Sequence, residues 1–339
     1  MLTLSAAPPP PEGRGNRPSA STGHPLTRSK VPLPVNFTDA NHAHPSPLIS
    51  SPAHGVCRFL HSNEAHTVTT LPAVARSDGT AKTRDGTRIG YRLHDRGAAA
   101  PRAVLIHSLA MDREFWEPVA AELPASVLLY DCRGHGASDK PAGPYTVEQF
   151  ADDLADLMDH VGWRSVLVGG ASMGGMVALA FAVAYPARTA ALGLIDTTSW
   201  YGADAPKAWA ERAGKAVAEG LSSLVAYQVT RWFGDAFRAE NPALVKQAVD
   251  VFLRNDVKAY AETCRMLGTA DIRPALSSMK MPTAIVVGEE DYATPVAMSE
   301  ALNKAITGST LKVLKGARHL TPIEQPKTIA AELSLLLQG

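Results

Sequence analysis

The chain reads Ser165-Val166-Leu167-Val168-Gly169-Gly170-Ala171-Ser172-Met173-Gly174-Gly175 near its middle. The apolar residues before the glycines have the length and composition of a buried strand, and the alanine-rich stretch 176–182 favours a buried helix. A strand, a sharp turn with a serine between small residues, and a helix together form a nucleophile elbow. The amino terminus of that helix favours negative charge beside Ser172. We therefore predict that Ser172 is a nucleophile, the alternative being a glycine-rich connecting loop.

A serine nucleophile needs a histidine base and a carboxylate that orients the base. Asp291 follows closely after the apolar run 283–288, and His319 follows the run 309–314. Both runs predict strands, and the carboxyl ends of parallel strands lie at one edge of a sheet. We therefore predict a triad of Ser172, Asp291 and His319. Alternatives for the acid are Glu289, Glu290 and, as the main rival, Asp196 after the run 191–195.

The amino-acid composition argues against several kinds of partner and binding site. The 339 residues carry no formal net charge, 45% of them are apolar and 19% are charged, so neither nucleic acid nor an anionic membrane is predicted as a partner. No apolar run reaches the roughly 18 residues of a membrane-spanning helix. The three cysteines, Cys57, Cys132 and Cys264, are scattered, so we expect no disulfide framework, no metal site and no cofactor. A cytoplasmic location is the simplest expectation.

The first 80 residues differ from the rest of the chain. They are rich in proline, serine and histidine and show no apolar periodicity, which predicts a disordered extension over residues 1–80. A transit peptide and a mis-assigned start codon both remain open as explanations. The irregular spacing of the histidines argues against a metal site.

From residue 81 onward, strands and helices alternate. Continuous apolar runs at 103–106 and 126–130 predict buried parallel strands, and helical stretches lie between the strands, so the fold class is α/β with helices on both faces of a mostly parallel sheet. The segment 197–270 lacks strand-like runs and holds many aromatic residues. We predict a core formed by 81–196 and 271–339, with 197–270 inserted as a helical cap over Ser172.

Several motifs beyond the elbow resemble those of the α/β-hydrolases. Residues 131–138 read Asp-Cys-Arg-Gly-His-Gly-Ala-Ser, which is similar to a stretch shared across that superfamily. Residues 107–112, together with Arg231-Trp232-Phe233 and the later Tyr260, Cys264, Asp271 and Arg273, resemble the 3-oxoadipate enol-lactonases of aromatic-compound catabolism. Three features depart from those proteins: Ala110 in place of glycine, Arg318 before the histidine, and Asp196-Thr197-Thr198 in place of Asn-Thr-Ala.

The resemblance implies hydrolysis of a small-molecule ester or lactone, with the backbone N–H groups of Leu109 and Met173 as the oxyanion hole. Because the lactone of that family carries a carboxylate, we expect Arg231 to bind it and Trp232 to form an apolar wall. The alternative for Arg231 is a salt bridge on the cap surface. His107 and His135 are interpreted as structural, and Cys132 as a loop thiol.

Three other functions stay open. The first is a general carboxylesterase. The second is a C–C hydrolase of ring-cleavage products, although residues 107–110 lack the His-Gly-x-Gly motif usual there. The third is a hydrolase fold without activity that binds a ligand, which an intact triad argues against.

Overall fold

A computed structural model describes residues 74–338, in which eight strands form one sheet in the order β1-β2-β4-β3-β5-β6-β7-β8. The strands are β1 Ala75–Lys82, β2 Arg88–Asp95, β3 Arg102–Ile106, β4 Ser126–Tyr130, β5 Val166–Ala171, β6 Thr189–Ile195, β7 Thr283–Gly288 and β8 Thr310–Leu314. All neighbours from β4 to β8 pair in parallel, whereas β2 is antiparallel to both β1 and β4. The predicted mostly parallel α/β architecture is confirmed.

Helices connect the parallel strands. They are α1 Glu117–Glu122, α2 Val147–His160, α3 Met173–Ala184, α4 Ala205–Glu219, α5 Val225–Trp232, α6 Asp235–Glu240, α7 Pro242–Leu253, α8 Val257–Thr269, α9 Val296–Ala305, α10 Thr321–Glu324 and α11 Pro326–Leu335. Every residue of β4 and β5 is buried, which requires helices on both faces of the sheet and explains their continuous apolar sequences. Helix α3 is apolar on all sides because it packs against β5 and β6 beneath α2.

The amino-terminal boundary differs from the sequence prediction. Residues 75–80, expected in the disordered extension, belong to β1, which pairs along its whole length with β2. Most β1 side chains are exposed, because β1 is an edge strand that is held by backbone hydrogen bonds. An edge strand of this kind needs no apolar alternation and so leaves no periodic signal. Residues 1–73 of the predicted extension lie outside the described residues.

The segment between β6 and β7 contains α4 to α8. The two stretches of chain that connect this segment to the core lie side by side. Trp200 forms an isolated antiparallel bridge with Asp271, and the Ile272 N–H donates to the Ser199 carbonyl over 3.0 Å. The Arg273 guanidinium lies 3.4 Å from the centroid of the Trp200 ring. The two ends of the inserted helical segment are therefore joined to each other where the segment meets the sheet.

The turn between β5 and α3 depends on glycines with no room for a side chain. A Cβ on Gly170 would overlap the Gly174 carbonyl, and a Cβ on Gly174 would overlap the carbonyl oxygen of Ile106 at the end of β3. Ser172 between them has a φ of +54°, in the left-handed region that L residues rarely adopt. The close approach of three backbone segments thus lifts Ser172 above the sheet.

Two buried histidines pack behind the loop that follows β3. His107 donates from Nδ1 to the Ser108 carbonyl over 2.8 Å and accepts at Nε2 from the Cys132 N–H over 3.0 Å. His135 lies with its ring centroid 5.0 Å from that of His107, and its Nε2 has no partner among residues 74–338. Burial lowers the pKa of His107 to about 4, and burial together with the nearby His107 lowers that of His135 to about 3. Both rings are therefore held in the neutral form by their burial.

Replacing Gly174 by Ala should lower the free energy of unfolding by at least about 3 kcal/mol, because backbone rather than a flexible side chain occupies the space. Gly214→Ala is the matched control, since Gly214 lies in α4 with nothing within 4 Å of an added Cβ. That variant should gain about 0.5–1 kcal/mol from helix propensity. Urea unfolding of both variants tests this; a Gly174→Ala protein as stable as the wild type would contradict the described turn.

Stability should fall as the pH drops from about 6.5 towards 4. In that window an unfolded histidine, with a pKa near 6.5, binds a proton that folded His107 and His135 do not bind, so protons favour the unfolded state. The stabilisation is complete above pH 6.5. His135→Asn should flatten this part of the profile of unfolding free energy against pH. Equal slopes for the variant and the wild type would show that His135 is not buried in its neutral form.

Candidate active site

The three side chains predicted as a triad meet at the carboxyl edge of the sheet. Ser172 Oγ lies 2.9 Å from His319 Nε2, and His319 Nδ1 lies 2.7 Å from Asp291 Oδ2. A carboxylate can only accept, so Nδ1 carries the proton and Nε2 accepts from the serine hydroxyl. The structure therefore holds the imidazole in the tautomer that can take a proton from Ser172.

Asp291 is fixed by its own turn. Its Oδ1 accepts from the N–H groups of Ala293 and Thr294 over 2.7 and 2.9 Å, and its Oδ2 accepts from Thr294 Oγ1 over 2.9 Å. These bonds compensate the burial of the carboxylate and aim Oδ2 at His319. The turn Asp-x-x-Thr before α9 is the local sequence reason for this placement.

Asp196, the main rival for the acid, has a different set of partners. Its Oδ1 accepts from the Gly288 N–H over 3.1 Å, and its Oδ2 accepts from the N–H and Oγ1 of Thr321 over 3.0 and 2.7 Å. Burial and the neighbouring charge of Asp291 raise its pKa well above the ordinary range. Asp196 therefore joins the ends of β6 and β7 to the segment after His319, and the geometry favours Asp291 as the acid.

Two backbone N–H groups are available beside Ser172. Met173 is the first residue of α3, so its N–H has no partner within the helix. The N–H of Leu109 makes no hydrogen bond within residues 74–338, and Leu109 lines the same cavity as Ser172. Ala110, the departure from glycine, adopts a φ of +59° and accepts at its carbonyl from Asn255 Nδ2 of the inserted segment over 2.8 Å. The loop can thus present donors without a glycine at residue 110.

A cavity of about 590 Å³ opens above Ser172 and His319. Its volume is in the range of small-molecule sites. The floor comes from loops at the carboxyl edge of the sheet, and the roof comes from the inserted segment, which contributes Tyr201 from the loop before α4, Trp209 and Arg212 from α4, and Tyr227, Gln228, Arg231 and Trp232 from α5. The inserted segment therefore covers the serine.

Arg231 and Trp232, predicted from the sequence to contact substrate, both line this cavity. The Trp232 side chain is buried, with its ring 5.4 Å from that of Phe252. Arg231 is half-buried, donates from Nη2 to the Tyr292 carbonyl and lies 5.0 Å from the centroid of the Tyr227 ring. Within the described chain Arg231 forms no ion pair, so the alternative of a surface salt bridge does not describe it.

Three further cavity residues were not singled out from the sequence. Tyr201 faces Ser172, and burial raises the pKa of its phenol to about 12, so the group stays neutral. Trp209 packs edge-on against Tyr201, with ring centroids 5.1 Å apart. Arg212 lies one helical turn after Trp209 on the same face of α4. In the sequence, the only sign of Trp209 and Arg212 is their spacing, which places both on one face of α4. That spacing alone does not distinguish a binding site.

The inserted segment is bonded directly to the loop that carries His319. The Trp232 carbonyl at the end of α5 accepts from the N–H groups of His319 and Leu320 over 3.1 and 3.0 Å. Arg318 donates from Nη1 to the carbonyls of Thr230 and Phe233 over 2.8 and 3.1 Å, and forms ion pairs with Asp235 and Glu290. Arg318, the second departure from the resemblance, thus caps the carboxyl terminus of α5.

Two kinds of feature, a membrane-spanning helix and a metal-binding cluster, are absent from the described residues. None of their helices is long and apolar enough to cross a lipid bilayer. Among residues 74–338, no three histidine, cysteine, aspartate or glutamate side chains come together in a way that could hold a metal ion.

Comparison with known proteins identifies the family. The model of the alpha/beta hydrolase family matches residues 103–332. The chain is 32% identical over 232 residues to 3-oxoadipate enol-lactonase 2 of Acinetobacter baylyi, covering 68% of this chain and 86% of that protein. The crystal structure of the enol-lactonase from Burkholderia xenovorans LB400 superposes with a TM-score of 0.74 at 33% identity, covering 77% of this chain and all of that one.

A thermophilic esterase from Thermogutta terrifontis, solved with malate bound, is also similar, with a TM-score of 0.71 at 28% identity over 78% of this chain and 98% of that one. The family match includes the strands that carry Ser172, Asp291 and His319, and it extends through the inserted helices. The chain therefore belongs to the alpha/beta hydrolase family.

Proposed function

We propose that this protein is a serine hydrolase that cleaves a carboxylic ester or lactone through an acyl-enzyme. The observation that carries the proposal is the 2.9 Å approach of Ser172 Oγ to His319 Nε2 at the floor of a covered cavity. His319 is oriented by Asp291, which completes the arrangement of nucleophile, base and orienting acid. Relatives with hydrolase names support the same reaction class.

In the proposed reaction, each residue of the site has one role. His319 Nε2 takes the hydroxyl proton as Ser172 Oγ bonds to the carbonyl carbon, and Asp291 stabilises the resulting imidazolium. The N–H groups of Leu109 and Met173 donate to the oxyanion of the tetrahedral intermediate. Collapse breaks the bond to the leaving oxygen, which receives the proton from His319. A water molecule, deprotonated by the same imidazole, then releases the acid and regenerates the serine.

Within this class we propose 3-oxoadipate enol-lactone as the substrate, in the catabolism of aromatic compounds. The two similar enol-lactonases support this choice. Ring opening of an enol lactone releases an enol that becomes a ketone, which makes the acylation step irreversible. Trp232 supplies an apolar wall of the cavity and Arg231 a cation on its lining. Within residues 74–338 the thiols Cys132 and Cys264 are both buried and free. We propose a cytoplasmic location.

A general carboxylesterase is the second candidate. The similar thermophilic esterase favours it, because its structure shares both the fold and a substantial part of the sequence. The two candidates share the triad and differ in the substrate that the cap selects.

Ser172→Ala should remove nearly all hydrolysis of both lactones and esters while leaving the fold intact, because among residues 74–338 only the Ser172 hydroxyl is hydrogen-bonded to His319 Nε2. Cys132→Ala is the control: burial raises the pKa of that thiol well above its usual range, so it should not replace the serine. Initial rates with 4-nitrophenyl acetate and circular dichroism spectra provide the measurements. Residual activity above a few per cent of the wild type would refute the assignment of Ser172.

Purified protein should consume 3-oxoadipate enol-lactone with a higher kcat/KM than it shows for a neutral short-chain ester. The loss of the enol-lactone absorbance measures the first rate, and nitrophenolate release measures the second. A protein that hydrolyses the ester but leaves the lactone unchanged would be a carboxylesterase, and the finer proposal would be wrong.

A further inference from the structure

We propose that Asn255, in the inserted segment, is a positioning residue for the oxyanion hole and acts by fixing the turn around Ala110. The inference rests on the proposed hydrolase function, in which the Leu109 N–H donates to the oxyanion. It goes beyond that function because it assigns a role to a side chain that does not line the cavity above Ser172.

The turn after β3 contains a residue in a conformation that its side chain disfavours. The Met111 N–H donates to the Ser108 carbonyl over 3.1 Å, which closes a four-residue turn with Ala110 as its third residue. Ala110 has a φ of +59°, in the left-handed region where glycine and asparagine are favoured. Ala110 is also completely buried, so contacts with the surrounding chain must hold this conformation.

The side-chain amide of Asn255 joins this turn to helix α7. Its Nδ2 donates to the Ala110 carbonyl over 2.8 Å and to the carbonyls of Val251 and Phe252, in the last turn of α7, over 3.0 and 3.2 Å. An amide nitrogen carries two hydrogens, so one can serve the end of the helix while the other serves the turn. The three carbonyl oxygens around this atom also identify it as the nitrogen of the amide.

Two linked peptide units carry this restraint to the proposed oxyanion donor. The peptide between Ala110 and Met111 accepts at its carbonyl from Asn255, and its N–H donates to the Ser108 carbonyl. The peptide between Ser108 and Leu109 is thereby held at its carbonyl, and its other end is the Leu109 N–H. Because a peptide unit is planar, fixing its carbonyl fixes the direction of its N–H. The Asn255 amide therefore restrains the direction in which the proposed donor points.

His107 supports part of the same loop without replacing Asn255. It donates from Nδ1 to the Ser108 carbonyl over 2.8 Å, beside the bond from Met111. Among residues 74–338, however, the hydrogen bond to the Ala110 carbonyl comes from Asn255 alone. Removing the amide would leave that carbonyl unpaired in a residue with a positive φ, and the turn would then be free to relax.

The test compares Asn255→Ala with Arg254→Gln, with 4-nitrophenyl acetate as the substrate. Arg254 is the matched control, because it joins the same end of α7 to the loop through an ion pair with Asp112 at 3.4 Å and its side chain is 65% exposed. In Asn255→Ala, kcat should fall by about tenfold or more, since misdirecting an oxyanion donor forfeits part of the roughly hundredfold or larger effect of removing it. KM should change by less than about twofold, and Arg254→Gln should change neither constant by more than about twofold.

Inhibition by trifluoroacetone gives a readout that a purely structural role would not change. Addition of Ser172 Oγ to this ketone produces an oxyanion that would occupy the same hole as the tetrahedral intermediate. The inhibition constant should therefore rise in Asn255→Ala by about the same factor as kcat falls. An unchanged inhibition constant would overturn the inference, and so would a loss of kcat in Arg254→Gln as large as that in Asn255→Ala.

Ala110→Gly tests the link between the amide and the left-handed residue. Glycine adopts a φ near +59° without strain, so the turn depends less on Asn255 in that variant. The loss of kcat caused by Asn255→Ala should be at least about threefold smaller in the Ala110→Gly background than in the wild type. Equal losses in the two backgrounds would overturn the inference.

If Asn255→Ala does not fold, Asn255→Ser replaces it. A hydroxyl supplies one hydrogen where the amide supplies two, so serine cannot serve α7 and the Ala110 carbonyl together. We expect kcat to fall at least about threefold in this variant as well, because the turn loses its share of the bonding. A wild-type kcat would overturn the inference.

Failure of the proposed function is recognised separately, because the wild type would then hydrolyse neither ester nor lactone. Exchange of the Met111 amide hydrogen with deuterium, followed by NMR, still decides the role of Asn255. That hydrogen closes the turn, so it should exchange at least about tenfold faster in Asn255→Ala than in the wild type, with no such change in Arg254→Gln. Equal exchange rates in Asn255→Ala and the wild type would overturn the inference.

Discussion

The crowding of backbone around the Ser172 turn is the constraint on which the rest of the structure depends. Gly174 lies against the carbonyl of Ile106 at the end of β3, so the helix that follows the serine and the loop that carries Leu109 are set against each other without side chains between them. One close contact therefore sets the Ser172 hydroxyl beside a backbone N–H group. The positive φ of Ser172 is a local strain that the surrounding sheet and helices hold in place.

Much of the fold could be predicted from the sequence because its strands are buried on both faces. Such strands appear as continuous apolar runs, and the predicted run 283–288 coincides with β7. The edge strand β1 could not be found in this way, since backbone pairing with β2 stabilises it and its side chains remain mostly exposed. The position of β1 depends on its pairing with β2, which the sequence of β1 alone does not reveal.

The floor of the site could also be predicted from the sequence, because strand ends in a parallel sheet converge and because the order of Ser172, Asp291 and His319 along the chain is informative. The residues that form the roof of the cavity could not be predicted. Arg212 in an isolated helix looks like an ordinary solvated residue, and its position above the serine follows from the packing of α4 on α8. Tertiary contacts of that kind leave no periodic pattern in the sequence.

The bonds between the Trp232 carbonyl and the loop of His319 have a kinetic consequence. A swing of α5 away from the core would break them and displace the imidazole, so the cap cannot act as a hinged lid while the triad stays assembled. Passage into the cavity must then depend on rotation of side chains at its mouth, such as Tyr227, which is 54% exposed. Such rotations take picoseconds to nanoseconds, far less than domain opening, so admission would limit the size of the substrate rather than the rate of turnover.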